Sequence, residues 1–178
     1  HKPDLEGAWS AADMVGRYSV KELTAALLNP DPSSRYWAIV GLRHKAGGDA
    51  DVVSTVAEHL QDASPAVRAE VAFWLAPIDE YREAALATLV ADLKLDDWWS
   101  ALRACRAIEL LGEEAASVKD VMRELYDSKR FQKGDEHFFI AFSAGAFLEK
   151  LGEPTTPWDF TPGAGSFSAD PKKKKSEE

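Results

Sequence analysis

Most residue patterns that announce a chemistry are missing from this chain of 178 residues. Cysteine occurs once, at Cys105, so no internal disulfide is available and the redox compartment is not legible. The four histidines, His1, His44, His59 and His137, show neither His-x-x-x-His nor Glu-x-x-His spacing. Those spacings bring two metal ligands to one helix face, so neither a metal nor a cofactor is expected. No apolar run nears the roughly 18 residues of a membrane span, and no membrane partner is expected. No signal peptide is visible, and the chain opens at His1 in a polar stretch without an initiator Met. It reads as a mature end or an excised piece of a longer protein, from which localisation signals have been cut. Basic charge is also scarce. The formal net charge is −9, and the lysines at 172–175 with Glu177 and Glu178 contribute +2, so the remainder carries −11. A protein that tracks a nucleic-acid backbone needs a basic stripe; this body is acidic almost throughout.

What is present is repetition. Four stretches share a pattern: Asp31-Pro-Ser-Ser-Arg-Tyr-Trp-Ala-Ile-Val-Gly-Leu42, Ser64-Pro-Ala-Val-Arg-Ala-Glu-Val-Ala-Phe-Trp-Leu75, Asp97-Trp-Trp-Ser-Ala-Leu-Arg-Ala-Cys-Arg-Ala-Ile108 and His137-Phe-Phe-Ile-Ala-Phe-Ser-Ala-Gly-Ala-Phe-Leu148. Their starts are 33, 33 and 40 residues apart. Such periods mean stacked helical hairpins, because one hairpin cannot bury its own apolar face. Asp31, Ser64 and Asp97 sit where an N-cap oxygen accepts from an orphan amide. Pro32 and Pro65 follow at the first helical position, where a missing N–H costs nothing. In the second unit Val67, Val71, Trp74, Leu75 and Ile78 fall on one helix face. Gly47-Gly48, Gly112 and Gly152 stand as left-handed helix ends.

Second helices lie between these. Val52, Val53, Val56, Ala57 and Leu60 make one stripe; Ala85, Leu86, Leu89, Val90 and Leu93 the next; Val118, Val121, Met122 and Leu125 the third. A helix over 20–28 reads as the last half of an incomplete unit, with a weak partner over 8–15. Because that end starts mid-unit, an apolar end face is expected around Val20, Leu23 and Leu27. Residues 127–136 read as a polar insertion that lengthens the third period. After Gly152 prolines, glycines and serines leave no helical pattern. Trp158 and Phe160 are available there to cap the last apolar surface, and disorder is expected from about residue 162.

No acid–base or nucleophilic constellation emerges. Asp96-Asp97 and Glu113-Glu114 are adjacent, and neighbouring helix positions diverge by about 100°, so neither makes a poised pair. Both lie near expected helix starts, where the dipole favours negative charge. Cys105 aligns with Ile39, Ala72 and Gly145 and reads as a packed thiol. The lysine run at 172–175 reads as a solvated tail. The aromatic doublets Tyr36-Trp37, Phe73-Trp74, Trp98-Trp99 and Phe138-Phe139 carry the best functional hint. Two neighbours cannot both face one core, so one of each pair points to a flank. That flank is either the adjacent repeat, the commoner outcome, or a docking surface. Trp98-Trp99 is the pair expected to be exposed, because Trp98 sits at the helix start. Trp98, Trp99 and Tyr36 are therefore the candidate binding residues, with no catalytic or metal residue assigned.

Helix pairs opening with Asp/Ser-x-x-x-Val-Arg resemble HEAT repeats. Ser64-Pro-Ala-Val-Arg68 matches closely and Asp31-Pro-Ser-Ser-Arg35 well, whereas Ala101 and Ala141 replace the arginine in units three and four. More narrowly, residues 35–42, the Ala-Val-Arg unit and Leu110-Leu-Gly-Glu-Glu-Ala-Ala116 resemble the helical C-terminal region of bacterial sulfatases. That resemblance implies a parent hydrolase acting on sulfated carbohydrates, and a periplasmic or extracellular location. The family's own Cys/Ser-x-Pro-x-Arg word is absent: Cys105 has no proline after it, and the proline of Ser64-Pro65-Ala66-Val67-Arg68 is one position early.

The expected fold is all-α: a right-handed α-α superhelix of about four HEAT-like hairpins over 20–152, preceded by a polar segment over 1–19 and followed by a Pro/Gly-rich tail over 153–178. Two functions follow. One is a non-catalytic accessory module of a sulfatase-like hydrolase, packing on the catalytic domain. The other is a free-standing scaffold that holds a protein partner on its second-helix surface. Either way the expected partner is a protein.

Overall fold

A computed structural model describes residues 5–132 and 134–156. Among them every regular element is helical. The elements are α1 (Leu5–Arg17), α2 (Val20–Ala26), α3 (Pro32–Lys45), α4 (Ala50–Ala57), α5 (Pro65–Leu75), α6 (Asp79–Asp92), α7 (Trp98–Leu111), α8 (Lys119–Lys129) and α9 (Asp135–Lys150). Short 3-10 helices, Glu58–Gln61 and Gly112–Val118, follow α4 and α7. The chain divides into two compact units between Asp92 and Leu93.

In the first unit α3 is central: α1 and α2 pack on it, as does α5, which also carries α6. The helix starts follow from their caps. Asp31 Oδ1 accepts from the Ser33 N–H at 3.1 Å, and Asp49 Oδ1 from Asp51 and Val52 at 3.1 and 3.2 Å. Ser19 and Glu22 form a reciprocal capping box ahead of α2. Ser64 departs from the expected cap. Its hydroxyl makes no capping bond, and its own N–H donates to Asp62 Oδ1 at 2.8 Å. Pro65 still opens α5 as expected.

The core is the expected one in α4 and α5: Val52, Val53, Val56, Val67, Val71, Trp74 and Leu75 are buried, and Ile78 half-buried. The N-terminal end is not. Leu23 and Leu27 are almost fully buried rather than forming an apolar end face. The reason is α1, a full helix of 13 residues in place of the weak partner expected over 8–15. Its Ala11 and Met14 are buried, and it comes close to α3 at Gly41. A Cβ there would lie 3.5 Å from Val15 Cα and 2.9 Å from Leu23 Cδ1.

In the second unit α7 and α8 both pack on α9. Ala104, Cys105 and Ile108 from α7 meet a core with Met122, Tyr126, Ala141, Ala144, Phe147 and Leu148. Met122 is the fully buried member of the third stripe, whereas Val118, Val121 and Leu125 are half-buried. Within the polar stretch 127–136, α8 runs on to Lys129 and α9 begins at Asp135. Gly112 and Gly152 take positive φ, +57 and +73, after α7 and α9. Trp158, Phe160 and the lysines at 172–175 lie outside the described residues.

Candidate interaction surface

Two arginines at equivalent positions stiffen the first unit. Arg35 of α3 donates through Nε and Nη2 to the two Asp62 oxygens, each at 2.7 Å. Its Nη1 donates to the Asn29 and Pro30 carbonyls at 2.8 and 3.0 Å. Arg68 of α5 donates to Asp92 Oδ1 at 2.6 and 3.2 Å, and to the Asp62 and Ala63 carbonyls at 2.7 and 3.3 Å. Each guanidinium thus clasps the carbonyls just ahead of its own helix and a carboxylate further along the chain. Burial acts to raise the Asp62 pKa. The Arg35 bonds, the Ser64 amide and His59 outweigh it and hold the carboxyl down at about 2. Ala101 stands at the equivalent place in the third unit and cannot repeat the clasp.

The second unit has its own polar tie. Glu109, buried on α7, pairs with Arg106 and accepts from Ser143 Oγ of α9 at 2.7 Å. Lys150 Nζ donates to the Glu109 carbonyl at 2.8 Å. Cys105 is fully buried one turn away, its thiol 3.5 Å from the Ile140 carbonyl. Burial pushes that thiol up to about 12, as a packed thiol should be. These groups tie α7 to α9. Among the described residues no three His, Cys, Asp or Glu side chains are grouped to hold a metal ion.

The candidate binding residues fall in both units. Tyr36 is half-buried on α3, its ring edge-on to Trp37 with centroids 5.3 Å apart. Trp98 and Trp99 open α7 behind the Asp97 cap, whose Oδ2 accepts from the Ser100 N–H at 3.2 Å. Their rings stack with centroids 3.9 Å apart and planes at 27°. Of this pair, expected to be exposed, Trp99 is 64% exposed whereas Trp98, at the helix start, is half-buried. Phe139 is likewise the exposed member of its doublet, joined by Phe142. Phe73 is half-buried beneath the Arg43 guanidinium, and Trp74 is buried. Sequence reasoning missed Trp9, exposed on α1, because a single tryptophan in a weak helix gives no doublet to flag.

Helical hairpins with arginine clasps define a class: an all-α repeat protein, here with several exposed aromatic side chains. Residues 20–109, half of the chain, match the family model for HEAT repeats. The chain belongs to the HEAT repeat family. No curated protein matches it. No helix among the described residues is long and apolar enough to cross a membrane.

Proposed function

We propose that this chain is a protein-interaction scaffold in which the Trp98-Trp99 pair anchors a protein partner. The observation that carries the reading is the exposure of Trp99 on a rigid helix start. An indole held by a stacked neighbour loses little side-chain freedom on binding, and tryptophan is enriched among the residues that dominate interface energy. Tyr36 is a secondary contact on the first unit. The test is a photo-reactive amino acid in place of Trp99 in the native protein, with the exposed Glu83 as the control position. An adduct to one defined protein from position 99 and none from position 83 supports the anchor. Equal labelling from both positions contradicts it.

A second reading makes the chain the accessory region of a sulfatase-like hydrolase acting on sulfated carbohydrates. Its support is the set of residue words at 35–42, 64–68 and 110–116, and no relative adds to it. The native reading frame tests it. A Cys/Ser-x-Pro-x-Arg word in the same open reading frame supports the parent enzyme, and its absence from the complete frame overturns it.

A further inference from the structure

The residues after α9 turn back into the groove between α8 and α9. Gly152 makes the turn at φ +73. Glu153 Oε1 then meets Lys119 Nζ at 2.8 Å, and the Pro154 carbonyl accepts from Arg123 Nη2 at 2.9 Å. The Tyr126 hydroxyl accepts from the Thr156 N–H and donates to its carbonyl, both at 3.2 Å. The α8 partners advance as 119, 123 and 126 while the segment advances as 153, 154 and 156. The segment therefore runs parallel to α8, toward the turn that joins α8 to α9. The opposite wall is α9, where Glu149 Oε1 accepts from Thr155 Oγ1 at 2.5 Å.

Both walls continue past Thr156. Glu149, Gly145, Phe142 and Phe138 recede along one face of α9. Gly145 marks the level of Tyr126, since a Cβ there would lie 2.9 Å from the Tyr126 ring. Beyond that level come Phe142 and Phe138, with centroids 6.0 Å apart. From the α8 side come Arg130, whose guanidinium lies 4.9 Å from the Tyr126 ring centre, and Phe131. Phe142 and Phe131 are 44% and 48% exposed, Phe138 is half-buried and Arg130 is buried, so the wall ahead of the segment is aromatic and partly exposed.

The residues next in sequence are Pro157, Trp158, Asp159 and Phe160. We propose that the α8/α9 groove is a receptor for the chain's own aromatic pair, Trp158 and Phe160. The distances match. At about 3.3–3.6 Å per residue, extended chain carries position 158 about 7 Å and position 160 about 13 Å past Thr156. At about 1.5 Å per helical residue, Phe142 and Phe138 lie about 4.5 and 10.5 Å past Gly145. Alternate residues of extended chain share a side, so both aromatic rings can face one wall. Asp159 between them has the charge opposite to Arg130.

The test is fluorine NMR of the full chain labelled with fluorotryptophan, the Trp158 resonance being assigned by Trp158→Phe. The proposal predicts a Trp158 resonance displaced from the free-tryptophan position, with a reduced response to exchange of H2O for D2O. Both features should be lost in Phe142→Ala while the other tryptophan resonances stay in place. Should that variant disturb them, Phe131→Ala from the opposite wall gives the same reading. A Trp158 resonance at the free position, or one displaced but indifferent to both substitutions, overturns the proposal. So does a displacement that disappears on dilution, which would make the occupant a second copy of the chain.

Discussion

Single side chains in this protein act chiefly as fasteners. Leu75 is fully buried on the face of α5 that its spacing marks. Leu75→Ala should cost about 2–5 kcal/mol, lost methylenes plus a cavity; a urea midpoint equal to wild type would mean that this face is not the core. Asp62 sets an acid limit. Its carboxyl, held at about 2 against an ordinary 3.8, is more acidic in the fold than in the open chain. The folded state therefore gains stability above pH about 4 and loses it as pH falls toward 2. Asp62→Asn should flatten the decline in thermal midpoint over that window, and an unchanged slope would show that the Arg35 clasp does not control it. The arginines of this clasp are legible as repeat residues. Their carboxylate partners are not, because Asp62 and Asp92 lie 27 and 24 residues away, offsets that no local spacing rule supplies.

Among the elements, helix starts marked by proline are readable from residue types alone, as α3 and α5 demonstrate, although only Asp31 of α3 also caps as expected. The extents of α1 and α8 are not. Residues 127–129 of α8 are an aspartate, a serine and a lysine, which continue the helix without an apolar beat. Nor does sequence say which of two adjacent aromatics turns outward. That depends on the rotation of the whole helix, which neighbours fix. For α9 one neighbour is Tyr126, whose ring lies against Gly145 with no room for a side chain between. Gly145→Val would drive methyl groups into a ring pinned at its hydroxyl by Thr156. Overpacking of this kind costs about 1–3 kcal/mol. The expected result is a lower urea midpoint with helix content retained below the transition, and a midpoint at or above wild type would contradict the packing described for α8 and α9.

The molecule as a whole joins two compact helical units, with HEAT repeats over residues 20–109, to an outward-facing tryptophan. Ties such as Arg68–Asp92 and Ser143–Glu109 engage buried polar groups within each unit. On the scaffold reading proposed above, function rests on surface recognition, and the energetic consequence is specific. Removing an anchor indole from an interface commonly costs about 2 kcal/mol or more, which is about a thirtyfold weaker Kd. A ring 64% exposed contributes little to folding. The most direct measurement is therefore a paired one on Trp99→Ala: the Kd for the partner that cross-links at position 99, and the thermal midpoint of the same protein. The account predicts a Kd weakened about thirtyfold or more with the midpoint essentially unchanged. An unchanged Kd, or a midpoint that collapses with it, would contradict the account and return Trp99 to the role of a packing residue.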